Sequence, residues 1–315
     1  MDTDRDSKVG NGKNIMTSYI NPRVDIAFKK IFGSEENKDL LISLINSIVG
    51  EEDQVTDVTL LNPYNQKNFR NDKLSILDIK AEGNHGKKFN IEIQITDEAD
   101  YDKRALYYWA KLYSDQLKES EDYATLEKVI GIHILNFTSI VDGEKYHNVF
   151  HITEKDTGIH YFKELELHTI ELKKFTDSLG KGFEDIGSKI QNALDLWSTF
   201  LTKHDLINGA TLARELENIP VKKAIQVLKV MNFSDEEREA YESHLKWLRI
   251  EANTLKKAEE KGMEKGMEKG MEKGIEKGRQ EEKLRVARAL LKQEFSLDQI
   301  AQLISLSSEE INSLS

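Results

Sequence analysis

Two short alternating segments, separated by a glycine- and asparagine-rich turn, constrain this chain more than any other feature. Leu74-Ser-Ile-Leu-Asp78-Ile-Lys80 and Phe89-Asn-Ile-Glu92-Ile-Gln94-Ile-Thr96 both alternate like half-buried strands. Between them, Glu82-Gly-Asn-His-Gly-Lys87 predicts an antiparallel hairpin. A turn centred on His85 sets Asp78 directly opposite Glu92, with both side chains on one face of the sheet about 5 Å apart. A slip of one residue would separate them onto opposite faces. Like charges directly opposite one another are destabilising, so a shared cation is the simplest reason for the pair.

The strand faces sharpen this expectation. Phe89, Ile91, Ile93 and Ile95 form an apolar row, while Asn90, Glu92, Gln94 and Thr96 form a polar one. Asp78 shares its row with Leu74, Ile76 and Lys80, which predicts partial burial. A buried carboxylate is costly unless it coordinates a metal or pairs with a base. Two solvated carboxylates, with Lys80 as the ion-pair partner of Asp78, fit the same pattern. If the pair does bind a metal, its hard oxygen donors suit Mg²⁺ or Mn²⁺ and not zinc.

Composition narrows the alternatives. The 315 residues can hold one sizeable domain plus an appendage, and 38% hydrophobic residues with three prolines allow a packed core. Zero cysteines excludes disulfides and zinc–thiolate sites. The apolar stretch from Leu40 to Val49 is too short to span a bilayer, and the polar first 18 residues lack the apolar core of a signal peptide. These features lead us to expect a cytoplasmic protein. A net charge of −11 argues against broad adhesion to nucleic acid. A local basic cleft is still compatible with it, because Lys29, Lys30, Lys80, Lys87, Lys88, Lys103, Arg104 and Lys111 fall in segments expected around the hairpin.

Along the chain, Asn21 and Pro22 suit an N-cap and first helical position, followed by helically spaced Val24, Ala27, Phe28, Ile31 and Phe32. A second helix is predicted from about Lys38 to Val49, a strand from Val55 to Tyr64, and a helix from about Glu98 to Glu119. Its core stripe is read as Leu106, Ala110, Tyr113 and Leu117, leaving Arg104, Tyr108 and Lys111 to one side. Val129 to Asn136 reads as a buried strand, with further strands near Val149 to Thr153 and Leu165 to Leu172. The order predicts an α/β sandwich around a mixed sheet. Helices follow at Ile190 to Leu201, Val221 to Met231 and Asp235 to Lys257.

Three segments, in their order and spacing, resemble the recombination-promoting nuclease and transposase family of the PD-(D/E)XK nuclease superfamily. They are Asn21-Pro-Arg-Val-Asp25-Ile-Ala-Phe28-Lys-Lys-Ile-Phe32, the hairpin carrying Asp78 and Glu92-Ile-Gln94, and the helix beginning Arg104-Ala-Leu-Tyr107-Tyr108. The resemblance implies a restriction-endonuclease-like fold with an α-helical C-terminal extension, and a Mg²⁺-dependent DNA endonuclease that promotes recombination. It also implies metal ligation by Asp78 and Glu92, with Asp25 as a third acid of the metal shell. Gln94 stands where the superfamily has lysine. It could orient water, and a change to lysine would be expected to keep or raise activity. Lys80 could supply the missing charge. Arg104, Tyr108, Lys111 and Lys29 are the candidate DNA contacts. The rival implication is a catalytically weak DNA-binding scaffold that retains the fold.

No other catalytic motif competes: there is no His-Glu-x-x-His and no Walker loop. We expect a disordered leader over 1–18, the nuclease core over 19–180 and a helical extension over 181–257. A Glu-Lys-Gly-Met repeat then spans 258–280. A four-residue repeat drifts about 40° per repeat around a helix, and each glycine costs about 1 kcal/mol there, so the segment reads as a spacer able to mediate homo-oligomers. Two capping boxes, Ser296 with Gln299 and Ser307 with Glu310, mark a small helical module over 281–315. Its last helix opens Ser308-Glu309-Glu310, too acidic for a DNA reader.

Overall fold

A computed structural model describes residues 20–63, 78–98, 100–178, 190–204, 219–229, 233–307 and 310. The leader, Leu74 and Ile76, and Ser308 and Glu309 lie outside the described residues. The chain divides into two compact units, Met1–His244 and Leu245–Ser315.

The first unit is built on a six-stranded mixed sheet in the order β1-β2-β3-β4-β6-β5. The strands are β1 (Thr59–Leu60), β2 (Asp78–Glu82), β3 (Lys88–Gln94), β4 (Val129–Leu135), β5 (His147–Phe150) and β6 (Leu165–Glu171). β3, β4 and β6 are parallel, and the outer pairings are antiparallel. The expected hairpin is present, turning through Asn84–Gly86 with His85 and Gly86 at φ 60° and 76°.

One face of the sheet makes the main core. Ile79, Phe89, Ile91, Ile130, Ile132 and Ile134 pack with helices α1 (Asp25–Phe32), α2 (Lys38–Ile48) and α5 (Ala193–Thr202). α4 (Leu172–Ser178) continues directly from β6, and α6 (Ile219–Val227) adds Val221 and Ala224 to this core. The start of α7 (Asp235–Leu291) is tied down by Glu237 on Lys30 at 2.8 Å and by Tyr241, whose hydroxyl accepts from the Asn21 amide at 2.8 Å.

Helix α3 (Tyr101–Ser114) lies on the opposite face, and here the structure corrects the expected stripe. Tyr101, Ala105, Trp109 and Leu112 are buried, whereas Leu106 is 52% exposed and Ala110 is also exposed. The face beneath α3 is the polar row of β3, so the aromatics with polar tips go inward. Trp109 Nε1 donates to the Val129 carbonyl at 2.8 Å, and Tyr101 reaches His133.

Two other expectations shift for local reasons. α1 starts at Asp25 and not at Pro22, because Val24 is extended at φ −69° and ψ 132° and takes the N-cap position. Asn21, whose side chain accepts from the Arg23 amide at 3.0 Å, closes a separate turn before it. The strand expected from Val55 contracts to Thr59–Leu60. Asn46 brackets both backbone groups of Val55 at 2.8 Å, and Asn84 accepts from the Thr56 amide at 2.8 Å. These side chains take the hydrogen bonds that a strand would need.

Beside β4 and β6, a chain of charged groups binds the sheet to the preceding loop. Lys87 and Lys128 reach Asp53 at 2.7 and 2.5 Å, Lys128 meets Glu166 at 2.8 Å, and Glu166 meets His168 at 2.6 Å. His168 in turn meets His147 at 2.9 Å. Burial raises the Glu166 carboxyl, but the bonds from His168 and Lys128 outweigh it and bring the group to about 2.

In the second unit, Ala287, Ile300 and Leu306 form a small core between the end of α7 and α8 (Leu297–Ile304). The Ser296–Gln299 capping box is formed, and Ser307 and Glu310 bond reciprocally through 2.9 and 3.3 Å contacts.

Candidate active site

Asp78 pairs with Glu92 in the β2–β3 ladder, so the two positions face each other on one side of the sheet. On the other side of β3, Glu92 is in register with His133 of β4, which is in register with Thr169 of β6. Glu92 is only 3% exposed, which excludes the solvated alternative for this acid. β3 and β4 are parallel and end together at Gln94 and Leu135. A crevice at the carboxyl ends of parallel strands is where α/β proteins commonly bind ligands.

α3 supplies the second layer. Arg104 Nη2 donates to Gln94 Oε1 at 2.7 Å and to Glu92 Oε1 at 3.3 Å, while Nη1 reaches Glu98 at 2.6 Å. Gln94 Nε2 donates to the Thr96 carbonyl and to Glu98, both at 3.0 Å. The amide therefore spends both its N–H donors inside the protein, and only its oxygen could still accept from a water. The Arg104 guanidinium also sits 5.4 Å from the centre of the Tyr101 ring.

Below this layer, the Tyr101 hydroxyl lies 2.7 Å from His133 Nδ1, and the same nitrogen is 4.0 Å from Glu92. Burial, with smaller effects from His168 and Arg104, brings the imidazole down to about 4. Burial and then Glu92 push the Tyr101 hydroxyl far upward. Both groups are thus neutral at physiological pH. Neither Tyr101, Glu98 nor His133 was a sequence candidate. The signal for His133 was a histidine inside an otherwise apolar buried strand, where it needs a partner.

The remaining candidates are placed as follows. Asp25 opens α1, and the preceding Arg23 meets Asn136 at 2.5 Å, whose amide donates to the Gln94 carbonyl at 2.9 Å. The α1 N-terminus therefore sits at the same end of the sheet as Gln94. Lys80 is in register with Asn90, two pairs along from Asp78 and so on the same face of the sheet. Tyr108 is half-buried with its ring 5.5 Å from Tyr107, Lys29 is half-buried on α1, and Lys111 is exposed on α3. The expected basic cleft is largely neutralised: Lys30 pairs with Glu237, Lys87 with Asp53, Lys88 with Glu82, Lys103 with Asp100, and Arg104 with Glu92 and Glu98.

Among the described residues no group of three or more histidine, aspartate or glutamate side chains is placed to hold a metal. Carboxylates at the facing Asp78 and Glu92 positions would supply hard oxygen donors, the kind that Mg²⁺ or Mn²⁺ takes.

A mixed sheet between helices, with an acid pair across a hairpin beside parallel strands, is the architecture of the PD-(D/E)XK nuclease fold. The sequence model of the PD-(D/E)XK nuclease family transposases matches residues 22–258, and the chain belongs to that family. No curated protein matches, and no solved structure matches.

Proposed function

We propose that the protein is a Mg²⁺-dependent (or Mn²⁺-dependent) DNA endonuclease that hydrolyses phosphodiester bonds, and that the breaks it makes promote recombination. The observation that carries this reading is the direct pairing of Asp78 with Glu92 in a chain of this family. Asp78 and Glu92 would hold the ion, with Asp25 contributing from the neighbouring helix start. A bound divalent ion would polarise the scissile phosphate and lower the pKa of the attacking water. Glu92 is held in place by Arg104, and Gln94 fixes the guanidinium through its amide oxygen. Lys29, Tyr108 and Lys111 are the candidate contacts to the DNA backbone or bases, with Arg104 turned inward from that set, and Lys80 is the candidate on β2 for a catalytic charge.

A second reading, a weak or inactive DNA-binding scaffold, is favoured by one observation: Arg104 already occupies oxygens of both Glu92 and Gln94. Incubating purified protein with supercoiled plasmid, in Mg²⁺ or Mn²⁺ and in chelator, separates the two. Divalent-dependent nicking, absent from Glu92→Ala, supports the enzyme; plasmid binding without nicking supports the scaffold.

Met263, Met267, Met271 and Ile275 of the repeat are all exposed on α7, and we assign this segment to homo-oligomer formation. None of the helices among the described residues is long and apolar enough to cross a membrane, in keeping with the cytoplasmic location we propose.

A further inference from the structure

We propose that Arg104 is a resident cation of this site, bringing from α3 the positive charge that a lysine at position 94 would bring from β3. What that charge does for catalysis rests on the nuclease reading; where it sits does not.

The amide of Gln94 is oriented by its neighbours. Its nitrogen faces two acceptors, the Thr96 carbonyl and Glu98, so its oxygen is the atom presented to Arg104 at 2.7 Å. Position 94 is thus built as an acceptor for a guanidinium. Arg104 makes its shortest contacts to Gln94 and Glu98, at 2.7 and 2.6 Å, and its longer one to Glu92, at 3.3 Å. Seated mainly on the first two, it offsets the buried charge of Glu92 while leaving that carboxylate able to ligate a metal. An ionised carboxylate this deeply buried is costly without a countercharge. The group that reaches across to that carboxylate from α3 is the Arg104 guanidinium, at 3.3 Å. Arg104 is therefore a positioning residue that acts through Glu92.

The relation between positions 94 and 104 follows. A lysine at 94 would lose the acceptor and place a second cation against Arg104. Gln94→Lys, a gain by the superfamily pattern alone, becomes a loss here.

The test is a double-mutant cycle with Gln94→Lys, Arg104→Gln and the two combined, with Arg104→Lys as a milder variant that keeps the charge but not the fork. The metal-free melting temperature and the Mn²⁺ affinity by calorimetry are read alongside plasmid nicking. Each single variant is expected to lose several degrees of melting temperature and about tenfold or more in nicking rate. Mn²⁺ affinity should fall in Gln94→Lys, which adds a cation, and hold or rise in Arg104→Gln, which removes one. The combined variant should recover a large part of each loss, because one cation again stands beside Glu92. Recovery of melting temperature in the combined variant supports the relocation even where the wild type neither binds Mn²⁺ nor nicks DNA, in which case only the nuclease reading fails. A combined variant that melts no higher than the worse single variant overturns the relocation, whatever the wild type does to DNA.

Discussion

The hydroxyl of Tyr101 lies 2.7 Å from Nδ1 of His133, and both residues are buried between α3 and β4. With the phenol held protonated and the imidazole neutral, the hydroxyl donates and Nδ1 accepts, which leaves the imidazole proton on Nε2. This bond anchors the first turn of α3 over Glu92. Tyr101→Phe keeps the ring packing against Phe137 but leaves a buried acceptor unmet. A loss of about 1–3 kcal/mol is expected, read as a lower urea midpoint at unchanged slope. An unchanged midpoint would remove the anchoring role.

His133 also sets a pH dependence. Its folded-state value of about 4 lies below the ordinary 6.5, so between these values the unfolded chain binds more protons than the folded one. Stability is then complete above 6.5 and declines as pH falls toward 4. His147, also lowered to about 4 by burial and then by His168, adds a decline of the same sign over the same window. Glu166, brought to about 2 from an ordinary 4.5, extends the loss to lower pH. Melting temperatures taken across this range should fall steadily, and His133→Gln should flatten the slope. A profile that rises on acidification would contradict the assigned burial.

Asp78→Ala and Glu92→Ala should both abolish divalent-dependent nicking, yet differ in stability. Removing one of two facing acids relieves repulsion, so Asp78→Ala should melt no lower than wild type in the absence of metal. Glu92→Ala also strips an acceptor from Arg104, which keeps Gln94 and Glu98. A cost of about 1–2 kcal/mol is expected for that loss. Full nicking by either variant would remove the acid pair from the chemistry.

The hairpin and its register were legible because turn chemistry and period-two alternation agree on a single pairing, Asp78 with Glu92. The environment of that pair was not. Arg104 read as a DNA contact off the core stripe because the aliphatics of α3 suggested the wrong stripe. The helix in fact turns Tyr101 and Trp109 inward, since only side chains with polar tips satisfy a buried polar row. His133 comes beside Glu92 through a parallel pairing between strands far apart in sequence, which no local pattern reports. The basic residues clustered in sequence around the hairpin, but their acidic partners, Glu237 and Asp53 among them, come from distant segments.

The repeat within α7 can be tested as an assembly element. The helix runs 57 residues, although glycines at 262, 266, 270, 274 and 278 weaken it by about 1 kcal/mol each. A Cβ added at any of these five positions meets nothing within 4 Å. In a lone helix, alanine at Gly266, Gly270 and Gly274 should therefore only stabilise, raising helicity. If another copy of the chain packs there, through Met263, Met267 and Met271, the added methyls hold the backbones apart and weaken association. Truncation after Lys257 should then shift the protein toward monomer, and toward nicking over double-strand breaks, because two cores are no longer held on one DNA. Light scattering that gives each truncated chain the same assembly number as the full chain, with an unchanged nick-to-break ratio, would leave the repeat as a plain spacer.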